Sequence, residues 1–142
     1  MKTKPVEDSI GTLLSQICKY RRNKSNTLLA ETGIHTGQDI LLYHLSIEDG
    51  QTVSSLVDKI CIQHATIFNM IDRMEASGMI RKEKDSVDKR ISRVYLTDKG
   101  KEAMDEVAKT WKTMETITTK GLTNEQQKEL NALLQIVLNN LK

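Results

Sequence analysis

The stretch Ile67-Phe68-Asn69-Met70-Ile71-Asp72-Arg73-Met74-Glu75-Ala76-Ser77-Gly78-Met79-Ile80, with Arg93-Val94-Tyr95-Leu96-Thr97-Asp98 a short way on, changes its hydrophobic period part-way along. Ile67, Met70, Ile71 and Met74 recur at helical spacing and predict the buried face of a helix. Gly78 follows where a left-handed residue stops a helix. Opposite Ile67, the same helix presents Ala65, Thr66, Asn69 and Arg73, a face that is small, polar and basic. Past Ile80, Val94 and Leu96 alternate with Arg93 and Tyr95, the period of a half-buried strand. The intervening Lys84-Asp85-Ser86-Val87-Asp88-Lys89-Arg90 is polar and turn-forming, so residues 79–96 predict a hairpin with a charged tip.

Working outward, Thr52 is placed to cap a very short helix through Leu56, Val57 and Ile60, with a tight connection at Cys61-Ile62-Gln63. Thr36 and Asp39 resemble a capping box for a helix through Ile40, Leu41 and Leu45 to about Ser46, and Asp49-Gly50 makes a turn. The first helix is expected from about Pro5 to Gly33, with Ile10, Leu13, Leu14 and Ile17 on one face. Downstream, Thr97-Asp98 caps a fifth helix carrying Ala103, Val107, Trp111, Met114 and Ile117, which ends at Gly121. Thr123 and Gln126 form a capping box for a sixth helix striped by Leu130, Leu133, Leu134, Val137 and Leu141. The fold class is therefore mainly α with a small β-hairpin wing: a winged helix-turn-helix of six helices. In that arrangement the helix before the hairpin enters the DNA major groove, about 12 Å wide and able to take one α-helix.

At 142 residues, 38% hydrophobic and 28% charged, the chain has the size and composition of one soluble domain. No run approaches the ~20 apolar residues of a membrane span and no secretory signal opens the sequence, so a cytoplasmic location is expected and no membrane partner. The net charge is only +2, but six basic residues (Arg81, Lys82, Lys84, Lys89, Arg90, Arg93) face three acids between 81 and 93, and Lys19 to Lys24 is basic without an acid. Local basic patches on a near-neutral chain suit a polyanion docking surface. No Gly-rich phosphate loop, nucleophile elbow or Ser-His-Asp spacing is present, which argues against an enzyme and against a cofactor.

Asp88-Lys89-Arg90-Ile91-Ser92-Arg93-Val94-Tyr95-Leu96-Thr97-Asp98-Lys99-Gly100 is similar to the wing of the MarR (multiple antibiotic resistance) regulators, D-x-R-x-x-x-V-x-L-T-x-x-G, and Asn69 to Ile80 resembles their R-L-V-D-R-L-E-x-x-G-L-I. The resemblance implies a bacterial-type transcriptional regulator, usually a repressor: one domain over 1–142, with a DNA-binding lobe at 36–97 and dimerisation helices at 1–34 and 98–142. Two winged lobes of a homodimer would bind a pseudo-palindromic double-stranded operator. Carried over by position, Gln63, His64, Thr66, Asn69 and Arg73 face DNA; Thr52, Ser54 and Ser55 contact phosphate; Arg90 enters the minor groove; Asp88 orients an arginine or stiffens the wing; Lys82, Lys84 and Lys89 supply phosphate charge. Gln63 stands where a small capping residue is common, and Asn69 where arginine is frequent. Phe68 replaces a small polar residue and is expected to pack against a neighbour, with insertion into DNA as the alternative.

The resemblance also implies a small aromatic or phenolic effector between the dimer helices and the DNA lobes, with Tyr20, His35, Tyr43, His44 and Trp111 as its lining. Cys18, beside Lys19, Arg21 and Arg22, is the redox candidate, with a buried structural thiol as the alternative. Cys61 and His64 are a single pair where zinc wants four clustered ligands, so no metal site is expected. A thiol- or metal-responsive sensor on this scaffold, and a winged helix used for protein–protein contact, are the competing functional classes.

Overall fold

The computed structural model describes residues 9–60 and 62–142. The expected start at Pro5 and the connection residue Cys61 lie outside the described residues. Six helices and three short strands follow one another as α1 (Ile10–Ala30), α2 (Gln38–Ile47), β1 (Gln51–Thr52), α3 (Val53–Lys59), α4 (His64–Ala76), β2 (Ile80–Lys84), β3 (Ser92–Leu96), α5 (Asp98–Thr118) and α6 (Asn124–Leu141).

Local chemistry sets most of these boundaries. The hydroxyls of Thr52, Thr97 and Thr123 accept from the backbone N–H groups of Ser55, Gly100 and Gln126, and at Thr123 the Gln126 side chain reciprocates, closing the expected box. Ser9 caps α1 in the same way through Thr12. The box expected at Thr36 does not form. The N-cap of α2 is Gly37, at φ 98°, and its N–H is taken by Asp39 Oδ1 at 2.9 Å. A non-glycine residue adopts that backbone only with strain.

The hairpin pairs Ile80 with Leu96 and Lys84 with Ser92, and the two-residue β1 adds to its far side, giving the antiparallel order β1-β3-β2. β1 was not expected. The core of the lobe is built from Leu41, Leu42 and Leu45 of α2, Leu56 of α3, Ile67, Ile71 and Met74 of α4, and Ile80 and Val94 of the hairpin, all at 2% exposure or less. Val107 of α5 and Leu29 of α1 complete it. The four α4 residues expected to face inward, Ile67, Met70, Ile71 and Met74, are all buried.

At the other end of the molecule apolar residues face out. Ile10, Leu13 and Ile17 of α1, Ile117 of α5, and Leu130, Leu133, Leu134, Ile136, Leu138 and Leu141 of α6 are exposed, and α6 buries none of its residues. No described helix is long and apolar enough to cross a membrane.

Candidate nucleic-acid interface

α4 presents two faces of opposite chemistry. Ala65, Thr66, Asn69 and Arg73 are exposed on the side away from the core, with Gln63 and His64 exposed at its start. Gln63 occupies the N-cap position without a side-chain capping bond. Phe68, expected to pack against a neighbour, is instead 52% exposed. The core-facing side of α4 is already filled by Ile67, Met70, Ile71 and Met74, so its ring is left on the flank.

At the start of α3 the three hydroxyls differ. Thr52 Oγ1 accepts from Ser55 N at 3.1 Å, which leaves its own proton to donate outward. Ser55 Oγ donates to Gln51 Oε1, so that proton is engaged inside the fold. Ser54 is exposed. Gln51, buried and unnoticed in the sequence, joins elements around this corner. Its Nε2 donates to the carbonyls of His44 and Glu48 at 2.8 Å, and its Oε1 also accepts from Lys59 Nζ.

Beyond β2 the wing is held by two carboxylates. Asp85 accepts from the N–H groups of Val87 and Asp88 and from Arg93 Nε at 2.6 Å, while Arg93 Nη1 reaches the Gly50 carbonyl. The Asp88 N–H first, then the Arg93 guanidinium and the Val87 N–H, lower the Asp85 carboxyl to about 2. Asp88 accepts from Arg90 Nε and Nη2, both at 3.0 Å, and from the Arg90 N–H. The Arg90 side chain, and then its backbone N–H, hold the Asp88 carboxyl below its usual range. The Arg90 side chain is nonetheless 90% exposed, with Nε and Nη2 on Asp88 and Nη1 making no hydrogen bond among the described residues. An aspartate two or three residues before the N–H groups it accepts is a turn signal that the sequence does carry. Its partnership with Arg93 exists only once the hairpin is paired.

The three lysines do not share one environment. Lys84 and Lys89 are exposed and make no ion pair among the described residues. Lys82, expected to supply phosphate charge, is instead held by α4: its Nζ lies 3.1 Å from Asp72 Oδ1 and 3.6 Å from Glu75 Oε1. The Asp72 hydrogen bond raises its pKa further. The register of β2 beside α4 places the ammonium between two acids, so its charge is already balanced.

The residues expected to line an effector pocket do not share one cavity. Tyr20 borders a groove of about 400 Å³ between α1 and α5, with Leu13, Ile17, Met114 and Ile117. Trp111 borders a separate cleft of about 390 Å³ with Arg21, Arg22, Ser25, Thr36 and Asp39, and its Nε1 donates to Asp39 Oδ2 at 3.0 Å. Tyr43 packs against Trp111 and edge-on to His44, with ring centroids 5.2 and 5.5 Å apart. His35 lies in the turn before α2, where its backbone N–H is bound by Gln38. Periodicity placed these aromatics on the correct helices but could not say which sides of those helices would meet. Cys18 is exposed on α1, contrary to a buried structural thiol. Among the described residues no three His, Cys, Asp or Glu side chains gather as a metal site would need.

A lobe of α2, α3 and α4, with one face of α4 exposed and a hairpin beside it, defines a winged helix-turn-helix protein. Residues 38–92 match the MarR family model. Over 99% of its length the chain is 30% identical to the HTH-type transcriptional regulator YwaE of Bacillus subtilis, covering 86% of that protein. Its fold is similar to that of an E. coli MarR mutant complexed with operator DNA (TM-score 0.84, 22% identity, 96% and 99% of the two chains). It is also similar to PcaV of Streptomyces coelicolor in complex with its natural ligand (TM-score 0.85, 20% identity, 100% of both). The chain belongs to the MarR family and is a transcriptional regulator of that type. Its relatives are regulators, not enzymes.

Proposed function

We propose that this regulator binds a pseudo-palindromic double-stranded operator as a homodimer, acts as a repressor, and is released by a small aromatic or phenolic effector. One observation carries the reading: the only side of α4 not committed to the core displays Thr66, Asn69 and Arg73, and the hairpin beside it holds out Arg90. Asn and Arg make bidentate contacts to base edges in the major groove, each worth roughly 1–3 kcal/mol. An arginine suits the negative potential of a narrow minor groove. That the E. coli MarR mutant of similar fold is complexed with operator DNA supports the DNA reading.

The dimer is supported by the apolar residues left exposed on α1, α5 and α6, which a twofold copy would cover. Residues 1–34 and 98–142 then form the dimerisation part and 36–97 the DNA lobe, with recognition helices about 34 Å apart, one turn of duplex. The effector's place is the cleft bordered by Arg21, Arg22 and Trp111, where α1, α2 and α5 meet and where a ligand could alter that spacing. Footprinting the wild type against Arg90→Ala and Asn69→Ala tests the reading. Both variants should protect the operator only at much higher concentration. Unchanged affinity in Arg90→Ala would remove the wing from the interface.

A further inference from the structure

Among the described residues, exposed large apolar side chains occur singly on α2 (Tyr43, Ile47) and in the hairpin loop (Val87, Ile91), as well as on the terminal helices and on α4. Those of α1, α5 and α6 form stripes at the terminal-helix end. Phe68 stands apart from them, the only phenylalanine in the chain and the only large apolar side chain exposed on α4. Its position on the helix is fixed by its neighbours. Asp72, one turn later on the same flank, holds Lys82 of β2 at 3.1 Å, and Glu75 holds the same ammonium at 3.6 Å. The Phe68 flank is therefore the one turned toward the wing. Helical side chains lean toward the N-terminus, which carries the ring over the turn containing His64 and Ala65.

The outward side of α4 is thus divided lengthwise. Asn69, Arg73 and Thr66 lie on one half and can exchange hydrogen bonds with base edges; Ala65 and Phe68, at i and i+3, make an apolar strip on the other. We propose that Phe68 reads the C5-methyl group of a thymine, so that the wing-side flank of α4 selects a T at one position of each half-site. This rests on the placement of α4 in the major groove. Within that groove the thymine methyl is the one apolar feature a base pair offers, and phenylalanine is among the side chains that contact it. A ring set against a phosphate would strip water from an anion and return no hydrogen bond. Asp72 and Glu75 on the same flank are engaged with Lys82 and, as carboxylates, offer a phosphate no donor.

The test uses the full-length protein and duplexes that the wild type selects from a random pool at low salt. Each thymine of a selected duplex is replaced in turn by deoxyuridine, which deletes one methyl group and no hydrogen bond. The wild type should lose about fourfold in affinity at one thymine per half-site, the worth of burying one methyl group. Phe68→Ala should bind more weakly and be indifferent to that exchange, while Phe68→Leu keeps part of the sensitivity. Thermal midpoints should match, since the ring is half exposed. A wild type insensitive at every thymine overturns the proposal without any variant. So does a Phe68→Ala protein with the wild-type uracil profile, or one weakened equally on all duplexes, which would place the ring against the sugar–phosphate backbone. Failure of the wild type to retain any duplex would overturn the DNA reading itself, and is told apart by that.

Discussion

Gly100 sits where a Cβ would stand 2.1 Å from the Met79 carbonyl oxygen, a backbone atom that cannot swing aside. The same junction is tied by Thr97, whose N–H donates to the Met79 carbonyl and whose hydroxyl donates to Gly78. Gly100→Ala must therefore push α5 away from the start of β2. We expect a loss of about 1–3 kcal/mol in urea unfolding, the usual cost of overpacking; a midpoint equal to wild type would contradict it. Asp85 makes a prediction in pH. Its carboxyl, at about 2 instead of 3.8, is lowered in the folded wing. Its contribution is then complete above pH 4 and is lost as pH falls from about 4 to 2. Hydrogen exchange at the Val87 and Asp88 amides should be constant in protection above pH 5 and lose protection across that acid window. Asp85→Asn should remove the pH step.

Among the elements, the contact between α4 and β2 bears most on function. Lys82 couples α4 to the hairpin through Asp72 and Glu75, so under the proposed reading it should act through geometry, not through phosphate charge. Lys84→Ala and Lys89→Ala should each reduce the log-affinity versus log-salt slope by about 2 per dimer, near 0.9 per phosphate contact. Lys82→Ala should leave the slope within about half a unit while raising amide exchange in the hairpin; a full reduction would return Lys82 to the phosphate-contacting set. The caps at Thr52, Thr97 and Thr123 were legible because a side chain and an N–H three residues on satisfy one another locally. The start of α2 was not, because Asp39 binds Gly37 on one oxygen and Trp111, 72 residues away, on the other.

For the whole molecule, the unburied face of α6 is the decisive feature. Leu133 is 54% exposed, so Leu133→Glu costs the isolated fold little but places a charge in the proposed twofold interface. The variant should elute as a folded monomer in size exclusion with light scattering, with wild-type helicity, and lose the operator footprint. A dimer that still binds would move the interface elsewhere.

The sequence by itself determined the order of the elements, the faces of α4, the wing and the terminal stripes. Each depends on periodicity or on partners within a few residues, and those survive in a linear string. Tertiary structure alone decided that Lys82 belongs to Asp72 and Glu75, that Gln51 locks α2 to α3, that β1 exists, and that Tyr20 and Trp111 border separate cavities. These depend on which surfaces meet and at what distance. A charge or a ring acquires its role from neighbours that only the folded chain brings near.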